Sequence, residues 1–275
     1  MSDHYAVIGN PIAHSKSPQI HAAFARQTGH DIVYDRLLAP LDAFAATARQ
    51  FFSDGGKGLN VTVPFKRAAW EMVNAHAGGA LDAEAVNTIK PEGDRLVGYN
   101  TDGIGLVADL ERNLGFSIAG KRVLLMGAGG ATYGVMHPLL EHRPQLLVIA
   151  NRTLDKANAL VRHFQKFRDF TLGGISASPY PDLAGTQFDL VINATSAGLS
   201  GEMPPLPEDV FAPGALGYDM VYGRDTPFLA FARQRGVHAV DGLGMLVEQA
   251  AESFQIWRGV RPQTAPVIAQ LRGSA

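Results

Sequence analysis

The run Gly127-Ala128-Gly129-Gly130-Ala131, set directly after the apolar stretch Val123-Leu124-Leu125-Met126, constrains the fold of this chain more than any other segment. A buried strand that ends in a glycine turn and re-enters a helix places backbone N–H groups and the positive end of a helix dipole around a pyrophosphate. The glycines remove side chains that would block that approach. The next apolar stretch, Leu146-Leu147-Val148-Ile149-Ala150, ends in Asn151-Arg152-Thr153. A site selective for NAD usually carries an acid at that point for the ribose 2′-hydroxyl. An arginine fork matches a phosphate instead. The order strand, glycines, helix, strand, Arg152, with Lys156 one turn into the following helix, therefore points to NADP(H). The fingerprint departs from its strict form at Thr132, where Gly or Ala is usual, with Gly134 beyond.

At 275 residues the chain is long for one core, so two domains are expected. With 24 basic and 26 acidic residues its net charge is -2, and no basic stripe argues for nucleic acid or a membrane surface. The N-terminus lacks the charged and apolar regions of a signal peptide. No apolar stretch is long enough to span a bilayer. The absence of cysteine excludes disulfides and thiolate chemistry and fits the cytoplasm. The nine histidines show no metal-ligand spacing, so no metal is expected.

Short apolar runs alternate with helical segments from end to end, the pattern of parallel α/β sheets. Strands are expected at residues 5–8, 32–38, 59–63, 146–150, 188–192, 216–220 and 237–240. Helices are expected at 18–28, 41–52, 104–114 and 243–258. The last has an apolar face at Leu246, Ala250, Phe254 and Trp257 that can return to the first domain. The fold class is thus α/β with two domains: an N-terminal open α/β substrate domain (1–103 plus 243–275) and a Rossmann-like NADP-binding domain (104–242). The proline-rich loop Met203-Pro204-Pro205-Leu206-Pro207 falls near the expected cofactor side.

Three clusters in the first domain exceed what a scaffold needs. In Asn10-Pro11-Ile12-Ala13-His14-Ser15-Lys16-Ser17-Pro18, after the first strand, Ser17 reads as a helix cap. Ser15 and Ser17 also offer two hydroxyls beside a helix N-terminus, a receptor for a carboxylate. In Asn60-Val61-Thr62-Val63-Pro64-Phe65-Lys66, Pro64 reads as a helix start. Lys66 then faces the positive end of the dipole, which together with partial burial would lower its pKa toward a catalytic range. In Gly98-Tyr99-Asn100-Thr101-Asp102, Asp102 reads either as a helix cap or as a partner of Lys66. Spacing alone does not decide between them.

In these motifs the chain resembles the shikimate dehydrogenase family. The resemblance runs through Asn10-Pro11-Ile12, Ser15-Lys16-Ser17-Pro18, Asn60-Val61-Thr62 with Pro64 and Lys66, Asn87-Thr88 and Asn100-Thr101-Asp102. It continues in Gly127-Ala128-Gly129-Gly130-Ala131, Asn151-Arg152-Thr153, Asn193-Ala194-Thr195-Ser196 with Gly198, and Gly244-Met245-Leu246 with Gln249. It implies NADPH-dependent, reversible reduction of 3-dehydroshikimate to shikimate, on the way to chorismate and the aromatic amino acids, by a cytoplasmic monomer or homodimer.

The resemblance further implies that Ser15 and Ser17 hold the substrate carboxylate and that Thr62, Asn87, Asp102 and Gln249 bond its ring hydroxyls. Tyr222 would be a further substrate contact, and Lys66 with Asp102 the catalytic pair. Asn151, Arg152 and Thr153, with Lys156, would surround the 2′-phosphate. The glycine turn from Gly127 to Ala131, Thr195, Met220 and Gly244 would complete the cofactor set. Thr132-Tyr133 stands where many members have a small residue followed by arginine, which implies one fewer cationic contact to the cofactor. Two alternatives stay open: a quinate/shikimate dehydrogenase using NAD, against which Ser15, Ser17 and Arg152 argue, and a non-catalytic sensor, which would not need Lys66 and Asp102.

Overall fold

The computed structural model describes residues 2–170 and 173–273. The chain divides into two units, one formed by Met1–Gly105 with Leu246–Ala275 and the other by Leu106–Met245.

The first unit contains β1 (Asp3–Gly9), α1 (Ser17–Thr28), β2 (Ile32–Leu38), α2 (Phe44–Ser53), β3 (Gly58–Val61), α3 (Lys66–Met72), β4 (Ala75–Gly78), α4 (Ala80–Ala83), β5 (Thr88–Glu92) and β6 (Arg95–Asn100). Its sheet order is β2-β1-β3-β5-β6-β4. The sheet is mixed where a parallel one was expected: β1 pairs in parallel with β2 and β3, but β5 runs antiparallel to both β3 and β6. The cause is local, because Gly93 (φ 60°) turns the chain tightly between β5 and β6, and a tight turn joins only antiparallel strands. Strand order reverses at β1, with β2 on one side and β3 on the other, the position at which open α/β sheets bind ligands beyond the carboxyl ends of the strands. One face buries Ala6, Ile8, Leu59, Val61 and Ile89, and the other Tyr5, Val7 and Tyr34.

The second unit is built on β7 (Arg122–Met126), α6 (Gly130–Glu141), β8 (Leu146–Ala150), α7 (Leu154–Phe164), β9 (Ile175–Ser178), β10 (Phe188–Asn193), β11 (Phe211–Asp219), α8 (Pro227–Gln234) and β12 (His238–Asp241). All pairings are parallel, in the order β12-β11-β10-β7-β8-β9. Val123 and Leu125 enter one core while Leu124 and Met126 enter the other. Burial on both faces is why these strands read as continuous apolar runs. The switch point lies between β7 and β10, and the segments that leave them carry Gly127 and Thr195.

Helix α5 (Asp102–Ala108) and helix α9 (Leu243–Arg258) belong in part to each unit, and α10 (Ala265–Gly273) to the first. Helix α1 begins one residue earlier than expected, and three further helices differ more. Helix α2 begins at Phe44, after a turn in which Ala43 N–H donates to Pro40. Residues 63–65 form a turn, with Phe65 N–H donating to Thr62 O at 3.0 Å, so α3 starts at Lys66 rather than Pro64. The helix expected over 104–114 is α5 followed by a wide π-turn at Asp109–Asn113, where Leu114 N–H reaches back five residues to Asp109. The wide turn starts at Asp109, whose buried carboxylate accepts from Tyr218 Oη at 2.7 Å.

Candidate active site

In the first unit the loops after β1 and β3 and the start of α5 bring most of the expected substrate residues onto one hydrogen-bonded frame. Ser15 Oγ donates to Ser17 Oγ at 3.2 Å and accepts from Ser17 N–H at 3.3 Å. Ser17 is therefore not the helix cap expected: Lys16 occupies the cap position, no side chain caps there, and Ser17 lies inside the first turn. Arg36, unnoticed in the sequence, clamps the loop by donating to Ser15 O through Nε (3.0 Å) and Nη2 (2.5 Å).

Lys66 Nζ donates to Asp102 Oδ2 at 2.5 Å, across 36 residues of chain. Asp102 is the first residue of α5 and caps nothing, because its side chain is committed to Lys66 and to Asn87, whose Nδ2 donates to Oδ1 at 2.8 Å. Its own N–H donates to Asn100 Oδ1 at 3.1 Å, which fixes the helix start. Asn87 Nδ2 also lies 3.5 Å from Gln249 Oε1, and Thr101 N–H donates to Asn87 Oδ1 at 2.9 Å. Asn87, Asp102 and Gln249 therefore converge with Lys66. Thr62, half-buried, leaves β3 in the same loop; its N–H donates to Ile8 O at 3.0 Å.

Behind these residues runs a buried polar frame. Tyr34 Oη donates to Asn60 Oδ1 at 2.7 Å, and Asn60 Nδ2 donates to Asn87 O (3.2 Å), Thr88 Oγ1 (3.1 Å) and Ser253 Oγ (3.0 Å). Ser253 was findable, since Met245, Gln249 and Ser253 repeat at i, i+4 and i+8 along α9. His21 stacks on Tyr34 with centroids 4.2 Å apart and is fully buried. Burial drives its pKa down to about 3, opposed weakly by the Asn60 side chain, and neither ring nitrogen has a partner of good geometry.

The second unit holds a cavity of about 490 Å³ at the switch point. Its walls include the whole glycine turn from Gly127 to Ala131, with Asn151, Arg152 and Thr195. Gly127 has φ 105°, and a Cβ there would lie 3.2 Å from Ala194 O, so the turn needs glycine on both counts. Gly129 and Gly130 are exposed and open α6, and a Cβ on either would meet no protein atom, as a backbone facing a ligand requires. Asn151 Nδ2 donates to Thr153 O at 2.8 Å and shapes the arginine loop. Thr153 is the cap position of α7 and Lys156 is exposed one turn on; neither lines the cavity.

Tyr180, Ser196, Ala197, Ser200, Glu202 and Met203 line the cavity and were not singled out as contacts, although the loop of Met203 to Pro205 was placed on this side. Tyr180 is 4% exposed, and burial pushes its phenol up to about 12 against the opposing pull of Arg152. Tyr222, half-buried just beyond β11, also has its phenol raised by burial. Met220 N–H donates to Asn193 O at 3.0 Å.

The structure gives Gly244 a packing constraint: a Cβ there would lie 1.9 Å from Asp109 Oδ1. Thr132 is fully buried, and its hydroxyl has no partner among the described residues. Tyr133 packs against His163 and Phe164 of α7 and does not line the cavity.

A parallel sheet of this order, with a glycine turn opening a helix at its switch point, defines a dinucleotide-binding α/β protein. Comparison with known proteins narrows the class. The family model described as Shikimate dehydrogenase substrate binding domain matches residues 7–89, Shikimate / quinate 5-dehydrogenase matches 109–199, and Shikimate 5′-dehydrogenase C-terminal domain matches 242–272. The chain is 58% identical over 275 residues to Shikimate dehydrogenase (NADP(+)) of Halorhodospira halophila, covering 99% of each chain. It is 56% identical to the protein of that name from Nitrosospira multiformis, over 100% of this chain and 98% of the other. Among solved structures, shikimate 5-dehydrogenase from Thermus thermophilus in complex with NADP(H) and shikimate superimposes with a TM-score of 0.87 at 30% identity, over 99% of this chain and 100% of that one. The chain belongs to the shikimate dehydrogenase family, as its motifs led us to expect.

Proposed function

We propose that this protein catalyses the NADPH-dependent, reversible reduction of 3-dehydroshikimate to shikimate. The observation that carries the reading is the Lys66–Asp102 pair, held at 2.5 Å at the carboxyl ends of the first unit's strands and braced by Asn87. A structural ion pair would not need the hydroxyl and amide frame of Asn87, Thr101 and Gln249 beside it.

NADPH, when bound, supplies the hydride to the C3 carbonyl. The residues present fit it: the open backbone at Gly129 and Gly130 offers N–H groups to phosphates, and Arg152 offers a guanidinium to the 2′-phosphate. Thr153 and Lys156 add donors near that end, and Met220 and Gly244 belong to the same proposed set. The Ser15 and Ser17 hydroxyls bind the substrate carboxylate at the head of α1. Thr62, Asn87, Asp102 and Gln249 bond its hydroxyls, and Tyr222 makes a further contact.

Lys66 has one N–H committed to Asp102 and, among the described residues, no second partner, so it has donors left for the developing C3 oxyanion. Proton donation from Nζ completes the alcohol, and Asp102 keeps the ammonium aimed while bonding the adjacent hydroxyl. In the reverse direction Lys66 takes the proton back. Residence in the cytoplasm, as a monomer or homodimer acting on this small substrate without nucleic acid or membrane, is part of the same proposal. No described helix is long and apolar enough to cross a membrane. The test is oxidation of shikimate and of quinate, each with NADP and with NAD, followed by nicotinamide absorbance. Shikimate with NADP should dominate; a preference for quinate or NAD would replace this reading with the broader dehydrogenase one.

A further inference from the structure

The second unit buries two carboxylates that the substrate frame does not use, Asp109 and Asp219. Asp219, at the end of β11, is fully buried. Three donors converge on it: Asn193 Nδ2 at 3.1 Å and Thr226 Oγ1 at 2.6 Å on Oδ2, and Val221 N–H at 2.9 Å on Oδ1. A carboxylate only accepts, so the Asn193 amide must turn its NH₂ toward Asp219. Its Oδ1 then points the other way, to the start of the loop lining the cavity. There it accepts from Thr195 N–H at 3.1 Å and from Thr195 Oγ1–H at 2.7 Å. The single hydroxyl proton of Thr195 is thereby committed to Asn193, and Ala197 N–H approaches the same oxygen as a donor at 3.4 Å. What remains on Thr195 Oγ1 is acceptor capacity only.

We infer that Asp219 is a positioning residue of the cofactor cavity: through Asn193 it presents the Thr195 hydroxyl as an acceptor, so the cavity receives there a hydrogen-bond donor of the dinucleotide and not a phosphate oxygen. This rests on the NADP reading above. With the adenosine end, its amino group and its ribose, assigned to the Arg152 side, the donors that remain on the dinucleotide are the hydroxyls of the second ribose and the nicotinamide carboxamide N–H. The arrangement sorts the cavity into two parts, donors at the glycine turn and Arg152 for phosphates, and an acceptor at Thr195 that repels them. Substituting Asp219→Asn puts an NH₂ where two donors already point. With Val221 N–H still needing its acceptor, the Asn193 amide is driven to flip and Thr195 changes from acceptor to donor.

Calorimetric titration of the full chain separates the possibilities, using NADP, 2′-phospho-ADP-ribose, which lacks nicotinamide, and 2′,5′-ADP, which carries only the adenosine end. Asp219→Asn and Thr195→Val should each weaken NADP about tenfold, the worth of one well-made hydrogen bond, and leave 2′,5′-ADP within about twofold. Loss confined to NADP identifies the carboxamide as the donor; equal loss with 2′-phospho-ADP-ribose identifies a ribose hydroxyl. The double variant should bind no more weakly than Thr195→Val alone, because both act through one hydroxyl. Thr226→Val removes a different donor from Asp219 and a helix cap without freeing Asn193, so it should lower stability and leave NADP affinity unchanged.

Wild-type NADP affinity in Thr195→Val, additive losses in the double variant, or an equal loss of 2′,5′-ADP in Asp219→Asn would overturn the inference. If Asp219→Asn does not fold, Thr195→Val, on a half-exposed loop residue, still decides whether the acceptor matters. A wild-type chain that binds neither NADP nor 2′,5′-ADP would instead overturn the NADP reading itself.

Discussion

His21 should make the first unit sensitive to mild acid. Its ring is fully buried between Tyr34, Phe24, Phe254 and Trp257, and burial lowers its pKa from 6.5 to about 3. In the unfolded chain the ring takes up a proton as pH falls through 6.5; in the folded chain it does so only near 3. The stability it permits is therefore whole above 6.5 and is lost progressively as pH falls toward 3. Integrating the two titrations gives a loss of about 2 kcal/mol between about pH 7 and about pH 5, out of about 5 kcal/mol in all.

Trp70 and Trp257 are the chain's two tryptophans, and both lie in the first unit, so their fluorescence reports urea unfolding of that unit. The assay compares wild type with His21→Phe at both pH values. The carboxylates contribute equally to both chains and cancel in the difference. The variant should lose about 2 kcal/mol less than wild type on acidification, whatever its stability at neutral pH. An identical pH dependence in the two chains would refute the reasoning, since it would mean that His21 titrates alike folded and unfolded.

Thr132→Val should stabilise the second unit by about 1 kcal/mol, because it removes a buried hydroxyl with no partner among the described residues, and calorimetric melting would show the shift. Ser15→Ala and Ser17→Ala should each raise KM for shikimate without changing NADP affinity; neither residue occupies the cap position of α1, and parallel losses for both ligands would indicate a fold defect instead. Arg152→Asp should lower kcat/KM with NADP by about a hundredfold or more through like-charge repulsion, while NAD loses little or gains, and steady-state kinetics with both cofactors would expose an arginine that does not read the 2′-phosphate.

Strands with a run of apolar or β-branched residues were legible in the sequence. Leu146–Ala150 was read to the residue, and so was Ile32–Leu38. Thr88–Glu92 and Arg95–Asn100 were not, because Pro91, Gly98 and three charged side chains break any apolar run; the pairing between them carries the strand structure. The glycine turn and Arg152 were legible because a turn at a strand end has a local signature, whereas Thr195 came only with the family resemblance. The contact between Lys66 and Asp102 was not, since it arises only when the loop after β3 and the start of α5 meet at one edge. Tyr180 carries no local signal either, entering the cavity wall from a short helical turn after β9. The polarity of Thr195 needs the third residue of its chain, Asp219, to become visible.

Lys66→Ala tests the central claim most directly. Removing the only cation bonded to Asp102 among the described residues takes away the donor proposed for the C3 oxygen while leaving Ser15, Ser17 and the cofactor cavity in place. Shikimate oxidation with NADP should show kcat reduced by about a hundredfold or more, with KM for shikimate changed far less. A Lys66→Ala enzyme that retains wild-type kcat would contradict the account, because the pair on which the proposed chemistry rests would then be structural.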